Sequence, residues 1–267
     1  VKNAAPVAGI FGGRDIEITN GTINIEGNLA GTVYGAETGN GVNFENVKMT
    51  IDATGANSGN IWGIYAYGSA SNIKDCEIEI KNITNSGFKN TAISVSGGTT
   101  IDNTNVTVNI PGNDQTYGIY GGNNTELITI KNSNVSLDAP NGAPLYGIYG
   151  KKMSLIDTDV YIGSVSVKSQ RYGLNFVGDS TINGGKVELQ GIDIANSHMM
   201  NVLYGINSSG SLSIENFEIN SKYSCVNFTG TTLTTNNVNM TCGDYGIQKS
   251  DSAIVNSTDT VINAGIE

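Results

Sequence analysis

One pattern of apolar and polar positions recurs along the chain: apolar, any residue, Asn or Asp, two of any kind, apolar, any, apolar. It begins at Ile18 (ITNGTINI), Phe44 (FENVKMTI), Ile73 (IKDCEIEI), Ile101 (IDNTNVTV), Ile130 (IKNSNVSL) and Leu155 (LIDTDVYI), and more loosely at Ile182, Ile214, Thr235 and Ile254. Successive starts lie 19 to 32 residues apart. Self-similarity at such a period predicts stacked repeats. Residues 117–137 show one repeat: YGIY, a turn, LITI, Asn132, then NVSL. Each apolar stretch alternates with period two, which predicts three short strands with one buried face each. The expected fold is all-β: a single domain over 1–267, about ten coils of three strands, forming three parallel sheets with strands about 4.8 Å apart.

Stacking turns equivalent positions into columns. The first strand supplies Ile10, Ile64, Ile93, Ile119, Ile148, Leu174, Ile206, Val226 and Ile247. The third supplies Ile25, Ile51, Ile80, Val108, Leu137, Ile162 and Leu189. Branched aliphatics suit pleated strands stacked on their own kind, and each inward Ile should contribute about 2 kcal/mol through apolar burial. A polar column runs through Asn20, Asn46, Asp75, Asn103, Asn132, Asp157, Asn216, Asn237 and Asn256, with Gly184 in the seventh place. Asn, Asp and Gly share a tolerance for left-handed backbone. A sharp turn between the second and third strands requires that geometry, and stacked amides can hydrogen-bond along the column. The column is therefore expected to be structural.

With its Asn ladder, short strands and coil lengths, nearly the whole chain resembles the right-handed parallel β-helix class. That class includes pectate lyases, polygalacturonases, phage tailspikes and the passenger domains of bacterial autotransporter adhesins. The resemblance implies the handedness, in line with the preference for right-handed parallel crossovers. It also implies an extracellular or cell-surface bacterial setting.

The first strand has a signature of its own: Tyr34-Gly35-Ala36, Trp62-Gly63-Ile64, Tyr117-Gly118-Ile119, Tyr146-Gly147-Ile148, Tyr172-Gly173-Leu174, Tyr204-Gly205-Ile206 and Tyr245-Gly246-Ile247. Strict alternation points each Gly outward and assigns the preceding aromatic to core or corner packing. The residue after each apolar position also points outward: Phe11, Glu37, Tyr65, Ser94, Tyr120, Tyr149, Asn175, Asn207, Asn227 and Gln248. Aromatic faces stack on sugar rings and amides bind hydroxyls. Tyr65, Tyr120, Tyr149, Asn175, Asn207 and Asn227 are therefore the candidate ligand-binding residues, with host or microbial glycans as partners.

Composition narrows the function further. The net charge is −10, and 14 basic residues make a poor nucleic-acid ligand. No apolar run reaches the length of a membrane span. Three cysteines preclude a complete disulfide framework, and Cys225 and Cys242 are expected as small buried fillers. No catalytic residue, cofactor or metal site is assigned. Cleavage of acidic polysaccharides requires clustered carboxylates with a nearby base. The first-strand face offers only Glu37, with Arg171 and Lys249 near its ends. Glu77, Glu79, Asp159 and Glu188 form at most a weak cation-binding strip on the third-strand face. His198, the single histidine, lies in the longest insertion. Sequons at Asn82, Asn105, Asn123, Asn134 and Asn207 are acceptors only in the chemical sense. The chain opens (Ala8-Gly9-Ile10) and closes (Ala264-Gly265-Ile266) in the same phase of the repeat, with no cap in view. Uncapped repeats suggest a longer parent or end-to-end self-stacking. The expected function is a rigid, non-enzymatic adhesin-type stalk. A filament subunit and a polysaccharide lyase or hydrolase are the alternatives.

Overall fold

A computed structural model describes residues 6–27, 31–55, 59–83, 89–111, 115–122, 125–140, 144–163, 170–190 and 203–265. His198 and Asn123 lie outside the described residues. Every described element is a strand, and the strands pair in parallel, each with its counterpart one repeat away. One sheet holds ten first strands, from Val7–Gly12 through Gln115–Tyr120 to Ile247–Lys249.

The other two strands of each repeat do not make separate sheets. They join one fourteen-stranded sheet, so the expected three sheets become two. The reason lies at the Asn corner. In Ile16–Gly27, Met153–Ile162, Ser180–Leu189 and Leu212–Ser221 the chain bends there without leaving the strand. One residue turns left-handed while the ladder hydrogen bonds continue on either side.

The columns hold residue by residue. Ile64 pairs with Ile93, Ile93 with Ile119, Ile119 with Ile148, Ile148 with Leu174 and Leu174 with Ile206, all fully buried. Ile51, Ile80, Val108, Leu137, Ile162 and Leu189 form the matching wall from the third strand, exposed by 1% at most. A repeat alone cannot bury these side chains; the layers above and below do so.

At the corner, Asn20, Asn46, Asp75, Asn103, Asn132, Asp157, Asn216 and Asn237 have φ between 45° and 57°, and Gly184 has 78°. Asn256 departs from expectation. It pairs with Thr234 inside a strand, while Asp259, opposite Asn237 in the register and with φ of 45°, makes the turn. The last repeat is phased three residues later than its apolar Ile254 suggests: Ser257, not Ile254, pairs with the corner-preceding Thr235, whose hydroxyl donates to Ser257 Oγ at 2.8 Å.

The cysteines are also corrected. Cys225 and Cys242 form a disulfide with a Cα–Cα distance of 5.5 Å, and Cys76 is the free, buried thiol. Cys225 occupies the first strand's glycine slot, and Cys242 shares a column with Leu189 and Ser221. These positions face each other across the interior: a Cβ added to Gly118 would lie 2.3 Å from Val135 and 3.0 Å from Leu137, which belongs to the same column. Two cysteines placed there meet. Burial pushes the Cys76 thiol upward in pKa, which keeps it protonated.

Candidate ligand-binding face

The glycines of the first strand point inward, against the alternation expected from sequence. A Cβ on Gly147 would sit 2.4 Å from Val160 Cγ1, and one on Gly173 would sit 2.2 Å from Val187 Cγ2. The following Ile148 and Leu174 are inside as well. The chain therefore places two consecutive residues inward, and the paired register skips the glycine in repeat after repeat. At Gly147 and Gly173 the third-strand wall comes too close for a side chain, whereas the same slot holds Ala92 and the disulfide-bonded Cys225 in other repeats.

That local break reverses the preceding residue. Tyr34, Trp62, Tyr117, Tyr146, Tyr172 and Tyr204 form a column on the outer side of the sheet, where Tyr117, Tyr146 and Tyr172 are nonetheless buried, in keeping with the packing role expected of them. The tyrosines from Tyr117 onward make a cluster separate from the main core. Beside them runs the expected outward column: Phe11, Glu37, Tyr65, Ser94, Tyr120, Tyr149, Asn175, Asn207, Asn227 and Gln248. The outer side thus carries six aromatics beyond the four that its sequence pattern implies.

Ring geometry divides the face into three zones. In the middle, Tyr117 stacks on Tyr146 at 4.7 Å and 8°, and Tyr146 on Tyr172 at 5.1 Å and 12°. Tyr120 stacks on Tyr149 at 5.2 Å and 9°, and the two columns meet edge to face. These rings cover one another's faces; Tyr117, Tyr146 and Tyr172 are buried, and the Tyr117 hydroxyl accepts from Gln115 Nε2 at 2.6 Å. Nearer the N-terminus, Trp62, Tyr65, Tyr67 and Tyr34 are tilted by 38° to 43° and do not stack flat, and Tyr67 is 57% exposed. Towards the C-terminus the column becomes amide: Asn207 donates to Asn175 Oδ1 at 2.9 Å, and Asn227 donates to Asn207 Oδ1 at 2.7 Å. Of the six candidate residues, Tyr65 lies in the open zone, Tyr120 and Tyr149 in the stacked zone, and the three asparagines in the amide zone. Trp62, Tyr67 and Lys89 join them; strict alternation hid Trp62, and nothing in the repeat signature marks the other two.

Burial keeps the phenols of this face in their neutral form. Burial raises the pKa of Tyr146 and Tyr149, raises that of Tyr117 strongly, and takes Tyr172 to about 12, with Tyr146 and Tyr204 adding to the effect on Tyr172. The phenols therefore remain hydrogen-bond donors through the neutral range. Burial also raises the Glu37 carboxyl.

Arg171 is absent from the face. It is fully buried, paired in register with Leu145 and Leu203, and burial lowers its pKa to about 10. The acidic strip of the third strand is already engaged: Glu77 with Lys48 at 3.0 Å, Glu79 with Lys81 at 3.2 Å, Asp159 with the Lys186 amide at 3.0 Å and Glu188 with Gln190. No group of three or more His, Cys, Asp or Glu side chains among the described residues is placed to hold a metal ion. The chain matches no family model, no curated protein and no solved structure.

Proposed function

We propose that the chain is a right-handed parallel β-helix in one domain, acting as a rigid, non-enzymatic stalk of an extracellular bacterial surface protein with a glycan-binding face on its first sheet. Pairing of each strand with its counterpart one repeat away supports the winding, as does the left-handed corner column. The Cys225–Cys242 disulfide supports an oxidising compartment. The aromatic face carries the binding reading: the tilted rings of Trp62, Tyr65 and Tyr67 offer apolar planes, and the amide column towards the C-terminal end of the same face offers hydrogen-bonding groups. Sugars present that same combination of an apolar ring face and peripheral hydroxyls.

Trp62 is the only tryptophan, so its fluorescence reports directly on the face. Titration with a panel of neutral and charged oligosaccharides should give saturable changes in emission. Tyr65→Ala or Tyr67→Ala should weaken binding about fivefold, since stacked aromatic contacts contribute on the order of 1 kcal/mol each. Tyr120→Ala and Tyr149→Ala should affect stability more than binding, because those rings cover each other. A flat response across the whole panel would sink the glycan reading. Long fibres of purified protein in electron micrographs would point instead to the end-to-end filament.

A further inference from the structure

The double aromatic column is interrupted at one repeat, where the register places Thr91 and Ser94 instead of rings. A lysine fills the interruption. Lys89 Nζ lies 3.7 Å from the ring centroid of Tyr120, 4.4 Å from that of Tyr117 and 5.3 Å from that of Trp62. It thus bridges the aromatic repeats on either side of the gap. No carboxylate among the described residues lies within ion-pair distance of it. The contrast with other lysines is sharp. Lys48, Lys74, Lys81 and Lys131 each sit 3.0 to 3.2 Å from a carboxylate oxygen, and those partners raise the pKa of Lys74 and Lys81. Lys89 is half-buried against rings, and burial lowers its pKa. Ring faces attract a cation but provide neither counter-charge nor hydrogen-bond acceptor, so they offset only part of the lost hydration.

We propose that Lys89 is a reactive amine that captures aldehydes, including the open-chain form of reducing sugars, as a Schiff base. The site lies on the proposed ligand face but does not require any glycan to bind there. The neutral amine attacks the carbonyl carbon and forms the C–N bond. The resulting carbinolamine loses the carbonyl oxygen with two hydrogens as water, leaving an imine. No oxidant or reductant takes part. Once protonated, the imine is again a cation and keeps the three rings as its surroundings. Lysines act as nucleophiles when desolvated in an apolar setting.

Competitive labelling tests this on the whole protein. The 14 basic residues less Arg14 and Arg171 leave 12 lysines to compare. Limiting pyridoxal at pH 7, borohydride reduction of the imine and peptide mass spectrometry give a rate for each. Lys89 should label faster than the carboxylate-paired Lys74 and Lys81, because desolvation leaves more of its amine neutral at pH 7 while their partners hold those two charged. Its rate should also level off at a lower pH than theirs. Tyr120→Ala, which admits water to the amine, should bring the Lys89 rate towards that of Lys48, and Lys89→Arg should abolish only the fast label. A Lys89 rate no greater than that of the ion-paired lysines, or one following the same pH curve, overturns the proposal. So does a rate unchanged in a folded Tyr120→Ala protein. The wild-type rates alone decide the matter if that variant fails to fold.

Discussion

A single methyl group is a sufficient probe of the first strand's glycine column. Gly147→Ala places that methyl 2.4 Å from Val160 Cγ1 and equally close to the Gly173 carbonyl oxygen. Backbone cannot yield as a flexible side chain can, so the expected loss is about 1–3 kcal/mol, the usual range for overpacking a core. Urea denaturation of Gly147→Ala beside Gly13→Ala, where an added Cβ meets nothing, checks this; equal midpoints would show that the column has room. The same residues mark the limit of what sequence reveals. The aliphatic columns were legible because inward Ile and Val repeat with the register. The glycine orientation was not, because counting by twos assumes an unbroken pleat, and here two neighbours face inward together. Trp62 and the tyrosines therefore stand on the outer side of the sheet, although Tyr117, Tyr146 and Tyr172 are packed and buried there, as corner packing requires. Asn256 misled for a related reason: it follows an apolar residue at the expected spacing, yet Asp259 takes the left-handed position.

At the scale of elements, the corner ladder and the disulfide each lend themselves to a solution measurement. Asp102 accepts from Asn132 at 2.9 Å and pairs with Lys131 at 3.0 Å, and the amide contact holds its carboxyl below the usual carboxylate range. Between the folded and unfolded pKa values the unfolded chain binds more protons. The resulting stabilisation is complete above the unfolded value of about 3.9 and is lost as pH falls through the lower folded one. Thermal melts between pH 2 and 5 should therefore decline less steeply for Asp102→Asn than for the wild type; superimposable acid limbs would refute this. The Cys225–Cys242 bond closes a loop with a sequence separation of 17, and loop-closure entropy gives about 3 kcal/mol for that length. Cys225→Ser with Cys242→Ser should lower the unfolding free energy by that order, and reductant should have the same effect on the wild type alone. The bond escaped the sequence reading because an odd cysteine count favours fillers. The inward glycine slot, the one clue to the pairing, had been turned outward.

For the whole molecule, ten first strands at about 4.8 Å spacing span about 45 Å along the stack. The proposed winding predicts an elongated particle in small-angle scattering, with a rod-like cross-section; a compact, near-spherical profile would reject it. Repeat number was readable along the chain because each repeat carries the same buried pattern, whereas the phase of the last repeat was not. Lys89 was not, since it belongs to no repeat signature and gains its setting only from rings 27 residues before it and 28 and 31 after it.

The amide columns share one direction. Asn46 donates to Asn20, Asn103 to Asp75, Asn207 to Asn175, Asn227 to Asn207 and Asn237 to Asn216, in every case towards the earlier repeat. Slow deamidation would therefore wound such a row on one side only. A new carboxylate at Asn216 would still receive the amide of Asn237 while losing its own hold on the layer beneath. Chemical ageing of this protein should thus loosen it link by link in the N-terminal direction, with each altered site remaining tethered to the layer that follows it.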